Sequence, residues 1–288
     1  MTQIPLPPAG QSNGRRPTPR PPRERTLRAP TGLPSWPVLL LAGREKAGKS
    51  FAAAEASTSN LIDRTFWLGF GEKDPDEYGA IKGARFEIAE HDGTLADLKA
   101  TIQYLLTIPV TDKPHLLVLD SGTRVWTTLR EKATWIAMKR DKKDRDGEFI
   151  ITMDIWNKVN GEWADILNLI RRWNGPVIIT ARLDTVAVIE NGKPTSRKTE
   201  KVQGQKSLAY DVDAIVEMPE RGKAELVGAR SVIYQIPARD PLPNFTVDGL
   251  WRMLGLDKVP AAVATYTEPP ASSDPLSRTP EEIAEDQS

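Results

Sequence analysis

The residues with the clearest chemistry form the run Gly43-Arg44-Glu45-Lys46-Ala47-Gly48-Lys49-Ser50. It fits the phosphate-binding loop G-x-x-x-x-G-K-[ST], and it stands in the order that loop needs, after apolar Val38 to Ala42 and before alanine-rich Phe51 to Ala56. Gly43 and Gly48 let the backbone curl so that successive N–H groups face inward, and the helix that follows adds the positive end of its dipole. Lys49 would reach the β- and γ-phosphates of a nucleotide, and the Ser50 hydroxyl would ligate Mg²⁺. Gly43, Arg44, Glu45, Lys46, Ala47, Gly48, Lys49, Ser50 and Phe51 are therefore the expected nucleotide contacts.

Two carboxylates stand where they could work with this loop. His115-Leu-Leu-Val-Leu-Asp120 is an apolar strand running into an acid, the Walker B pattern, in which Asp120 serves the Mg²⁺ shell. Arg64-Thr-Phe-Trp-Leu-Gly-Phe70 is another buried-strand pattern and ends in Gly71-Glu72-Lys73-Asp74. Ligands of open α/β sheets sit beyond the carboxyl ends of the strands, so Glu72 is the candidate base that orients an attacking water. A polar loop with helix-capping aspartates would read the same way. Pro176-Val-Ile-Ile-Thr180-Ala-Arg182 supplies a further strand tip, where Thr180 is either a γ-phosphate sensor or a plain strand-end residue.

The elements that must hold these residues follow from periodicity. Short strands are expected at Arg85 to Ala89, Asp213 to Met218, Ala224 to Gly228 and Ser231 to Ile236, the last two antiparallel. Leu95, Leu98, Ile102, Leu105 and Leu106 mark an amphipathic helix. Ile155, Val159, Trp163, Ile166 and Ile170 mark another, with Asp154 as N-cap and Asn174-Gly175-Pro176 as stop. Leu250 to Leu254 reads as a short final helix. Val186 to Lys198 reads as a hairpin about Asn191-Gly192, with Pro194 confining its second strand to an edge. Residues 122–147 mix cations with Trp126 and Trp135; they suit either a single-stranded nucleic acid or a solvated charged loop or helix. Lys193 to Lys206 is expected to be basic and flexible.

Composition narrows the possibilities. The chain has 288 residues, 39 % of them apolar, and no net charge, so nothing global advertises nucleic acid. With no cysteine and only His91 and His115, a thiol nucleophile, a disulfide framework and a Cys/His zinc site are excluded. No apolar run approaches the ~20 residues of a membrane span, and a soluble cytoplasmic protein without membrane attachment is expected. Residues 1–33 read as a disordered Pro/Arg-rich arm and 258–288 as a disordered acidic tail, flanking an ATPase domain at 34–257. The arm is either a nucleic-acid contact or a solvated tail.

These features together resemble the RecA-like branch of P-loop ATPases, and more closely the AAA-family or RecA-like recombinases of tailed phages, including Sak-type annealing proteins. The resemblance rests on GREKAGKS, Glu72 and LLVLDS, and covers residues 36–256. Ser121 stands where most AAA+ ATPases carry a second acid after the Walker B aspartate, which moves the water-activating role to Glu72. The resemblance implies an α/β RecA-like core, a mostly parallel sheet flanked by helices with a C-terminal antiparallel extension. It implies ATP and Mg²⁺ as ligands, with Lys49, Glu72 and Thr180 in catalysis and Ser50 and Asp120 at the metal. It further implies mobile single-stranded-DNA loops at 122–148 and 183–206. Arg182, Lys201 and Lys206 would then contact DNA or a neighbouring subunit's nucleotide. A homo-oligomer, ring or filament, and phage replication or recombination proteins are the implied partners. The other readings are a nucleotide-gated interaction module with little hydrolysis and no DNA affinity, and a small-molecule kinase with 122–148 as its lid.

Overall fold

The computed structural model describes residue 27 and residues 29–259 apart from 191, 192, 236 and 238. Most of the Pro/Arg-rich arm, the acidic tail beyond Val259 and the Asn191-Gly192 turn lie outside the described residues.

Among the described residues nine strands form one sheet in the order β3-β2-β4-β5-β1-β7-β8-β9, with β6 off this path and paired to β5. β1 (Val38–Gly43), β2 (Thr65–Gly69), β3 (Glu87–Ile88), β4 (Leu116–Asp120), β5 (Val177–Glu190) and β7 (Ala214–Glu220) run parallel. β6 (Lys193–Gln203), β8 (Lys223–Ala229) and β9 (Asp240–Pro241) are antiparallel to their neighbours. The fold is thus the expected α/β architecture with antiparallel strands at its C-terminal side. Continuous apolar runs such as VLLLAG and LLVLD are buried on both faces because helices cover both.

Strand alternation sorts the core into two layers. Leu40, Leu117 and Ile179 face α2 (Leu95–Leu105), α3 (Gly122–Arg140) and α4 (Met153–Arg171). Leu39, Leu41, Val118 and Ile178 face α1 (Lys49–Ala56) and α6 (Val247–Met253). A one-turn α5 (Leu208–Asp211) leads into β7. Among the described residues no helix is long and apolar enough to cross a membrane.

Several local expectations are corrected. Residues 122–140 are a 19-residue helix packed on α4, whose buried stripe is Val125, Leu129, Ala133 and Ala137. Trp126 is half-buried edge-on to Trp163, so only Trp135 of that pair is exposed. The basic segment expected to be flexible is strand β6, bonded residue by residue to β5 from Arg182↔Gln203 to Glu190↔Lys193. Ser231 to Gln235 is no strand, because the Ser231 hydroxyl accepts from the N–H groups of Ile233 and Tyr234 and turns the chain. β3 shrinks to two residues. Thr152, rather than Asp154, is the N-cap of α4.

Candidate functional site

The loop Gly43–Ser50 joins β1 to α1 as the spacing requires. Gly48, at φ 101°, is the left-handed residue from which α1 starts, and no side chain caps that end, so its first N–H groups face the loop. The backbone closes tightly beside β7. Arg44 N–H donates to the Met218 carbonyl at 3.2 Å, and a Cβ on Gly43 would meet that same oxygen at 2.8 Å and Lys49 Cγ at 3.1 Å. Gly43→Ala should therefore cost about 1–3 kcal/mol in denaturant unfolding and weaken nucleotide binding in the same titration series.

Lys49 folds back over the loop, its Nζ donating to the carbonyls of Gly43 and Arg44, each at 2.9 Å. Burial lowers its proton affinity, an effect that the Asp120 charge opposes and the Arg182 charge reinforces. Beside it, Ser50 Oγ donates to Asp120 Oδ2 at 2.8 Å, and Thr180 Oγ1 donates to Asp120 Oδ1. Burial raises the proton affinity of Asp120, against the two hydroxyl donors that favour the carboxylate. Ser50 and Asp120 offer hard oxygen donors at the mouth of the loop, the chemistry Mg²⁺ takes when phosphates and water complete its shell. Among the described residues no group of three or more His, Cys, Asp or Glu could hold a metal by itself.

Glu72 lies just past the tip of β2, across from the loop. Its Oε1 accepts from Ser121 Oγ at 2.9 Å and from Arg182 Nη2 at 2.7 Å. Ser121 is also the N-cap of α3, accepting from Arg124 N–H at 3.3 Å. The position that lacks a second acid after Asp120 thus holds Glu72 in place. Thr180 is fully buried, and its hydroxyl is directed to Asp120. Lys201 sits on β6 opposite Asp184, and Lys206 follows β6; both are exposed and neither joins the Glu72–Asp120 cluster.

Some contacts carry no signal in spacing. Thr123 Oγ1 donates to the Gln203 carbonyl at 2.6 Å and accepts from Arg182 N–H at 2.9 Å, stitching both strands of the β5–β6 hairpin root to α3. Arg44 forms an ion pair with Glu200 of β6, and Glu200 also accepts from Thr185 Oγ1 at 3.2 Å. From Lys49 and Ser50 a cleft of about 1020 Å³ runs along α1, walled by Phe51, Tyr78, Met218 and Phe245. The Phe51 and Tyr78 rings meet edge-on at 6.4 Å. Of these walls only Phe51 is foreshadowed by its place beside the loop.

A family model described as an AAA domain matches residues 37–240, the stretch that contains Lys49, Ser50, Glu72, Asp120, Thr180 and Arg182. The chain belongs to the AAA domain family. This AAA domain therefore carries its phosphate loop, its β4 aspartate and its β2 glutamate inside the family's own boundaries. No curated protein matches the chain. Among solved structures it is similar to an ATPase from the type III secretion system of pathogenic bacteria, at 13 % identity and a TM-score of 0.35. That match covers 63 % of this chain and 50 % of the other, so the chain spans half the length of that ATPase.

Proposed function

We propose that this AAA domain is a Mg²⁺-dependent ATPase that acts on single-stranded DNA, in a setting such as phage recombination, annealing or replication. The observation that carries the ATPase part is the convergence of three separate segments, bearing Lys49 and Ser50, Asp120, and Glu72, at one site. On nucleotide entry the Lys49 ammonium exchanges its two carbonyl partners for phosphate oxygens, and the α1 N–H groups bind the same phosphates. Mg²⁺, held by Ser50 Oγ and Asp120 with water and phosphate oxygens, would supply charge neutralisation on the β- and γ-phosphates. Glu72 orients a water in line with the γ-phosphate and takes its proton. Phe51, Tyr78 and Phe245 give the cleft an aromatic wall suited to the nucleobase.

The DNA part is supported by exposed chemistry near the same end of the sheet. Hairpin β5–β6 presents Lys193, Arg197, Lys198 and Lys201, and Lys139 of α3 lies 5.4 Å from the ring centre of Trp135, which is 59 % exposed. The phage setting and a ring or filament assembly rest on the resemblance carried by GREKAGKS, Glu72 and LLVLDS. Measured at low and physiological salt, ATP turnover should rise several-fold with single-stranded DNA, and the stimulation should fall as salt rises. Equal turnover with and without DNA under all conditions would remove the DNA part.

One observation favours the second reading, an ATP-gated interaction module: Glu72 Oε1 already has two donors, so the base is restrained. The kinase reading loses its lid, because 122–140 is a helix packed on α4.

A further inference from the structure

Two acids line the cleft that runs along α1, and the steps of phosphate chemistry use neither. Glu77 is exposed, whereas Glu55 is half-buried. Glu55 follows Phe51 by four residues and Ala52 by three, so the three side chains share one face of the helix, and all three line the cleft. The helical rise puts Glu55 about 7.5 Å beyond Ser50 along α1, away from the phosphate end. Among the described residues its carboxylate has no hydrogen-bond donor and no ion-pair partner. Burial raises its proton affinity, and no compensating cation offsets that cost.

A nucleotide whose phosphates sit at the start of α1 has its ribose and base further along the cleft. The small Ala52 side chain leaves room for them beside the helix, and the Phe51 and Tyr78 rings, edge-on to each other at 6.4 Å, wall the same space. The edge of the base is then the part that reaches Glu55. An ionised carboxylate only accepts hydrogen bonds, and the strongest donors on a purine edge are its exocyclic amino groups. We propose that Glu55 is a specificity-determining residue that accepts a hydrogen bond from the exocyclic amino group of a purine base, the N6 amino group of adenine in the ATPase reading above, on which this inference rests. A base without that amino group leaves the carboxylate half-buried and unpaired, so the site rejects it. The carboxylate that lacks a partner in the protein thus finds one in the ligand.

The test uses the full chain and two matched pairs of diphosphates, which cannot be hydrolysed at a γ-phosphate during titration. ADP against purine riboside diphosphate differs by the 6-amino group alone, and GDP against IDP by the 2-amino group alone. Affinities are measured by calorimetry with Mg²⁺ for the unsubstituted chain, Glu55→Ala and Glu55→Gln, two replacements that a helix accepts readily. ADP should bind the unsubstituted chain about tenfold more tightly than its amino-free counterpart. In Glu55→Ala that ratio should fall to within about twofold because ADP weakens, while the amino-free nucleotide keeps its affinity and so reports a folded site. Glu55→Gln, whose amide oxygen still accepts without the charge, should retain part of the ratio. A glutamate that only supports the helix would shift both members of a pair equally, and that result, or a ratio unchanged by Glu55→Ala, overturns the proposal. A larger ratio for GDP over IDP, lost in Glu55→Ala, upholds the amino-group contact and turns the base from adenine to guanine. If the unsubstituted chain binds no nucleotide, the ATPase reading falls and takes this proposal with it. Binding of all four with equal affinity within each pair removes this proposal alone.

Discussion

Replacing Glu72 with glutamine should lower ATP turnover by about a hundredfold or more while ATP binding survives. The side chain keeps its size, and its amide oxygen can still accept from Ser121 Oγ and Arg182 Nη2, so the contacts that place it persist. What would be lost is the basic oxygen proposed to take a proton from water, and general-base catalysis contributes roughly 10²–10⁴-fold. Steady-state turnover and nucleotide titration on the same preparation separate the two effects. An unchanged rate would move the base elsewhere in the site or leave only an ATP-gated binder. A parallel loss of binding would show that Glu72 acts on the fold instead.

Asp120→Asn should have opposite effects on activity and stability. Asp120 is a charged group held under burial that raises its proton affinity, so the folded state favours the neutral carboxyl. The stability this contributes is present at low pH and is lost as pH rises through the folded-state value. Asparagine avoids that loss while keeping the geometry, its oxygen accepting from Thr180 Oγ1 and its amide donating to Ser50 Oγ. The nucleotide-free variant should be more stable at neutral pH by on the order of 1–2 kcal/mol, a rise of ~2–4 °C in Tm per kcal/mol. The gap should narrow toward acid as the native carboxyl protonates. Mg²⁺-dependent turnover should fall by about two orders of magnitude, because a hard anionic ligand has been exchanged for a neutral one. Thermal melts across pH and Mg²⁺ titrations of turnover check both halves. A destabilised variant would mean that the Lys49–Asp120 attraction outweighs the burial of the carboxylate.

The parts of this site that could be read from the chain are those whose chemistry is local. Gly43 to Ser50 declares itself because a phosphate loop needs glycine, lysine and hydroxyl at fixed spacing. Asp120 declares itself because four buried apolar residues run straight into it. Helix α3 was harder to read for a physical reason: the C-terminal half of its buried stripe is Ala133 and Ala137, small residues that give little apolar periodicity, and charged residues are interleaved with aromatics along it. Strand β6 is exposed along most of its length, so side-chain alternation says nothing, and backbone pairing to β5 holds it. The Glu72–Arg182 and Arg44–Glu200 pairs join residues 110 and 156 positions apart, a relation that exists only once the sheet order is set. Ser121 was read as an absence, the missing second acid after Asp120, and its hydroxyl is a donor that steadies Glu72.

Strand β5 is at once a central rod of the sheet and one half of the projecting hairpin. It runs from Val177, between β1 and β4, through Thr180 and Arg182 to Glu190, and its pairing with β6 shifts register only between Ala187 and Ile189. Mechanically this is a lever with its bend near the free end and no joint at the fulcrum. A load placed on the outer hairpin is delivered as torque to the segment that carries Arg182, with Thr123 as the pin. A load on the outer hairpin and the state of the phosphate site would then be two ends of one stiff arm.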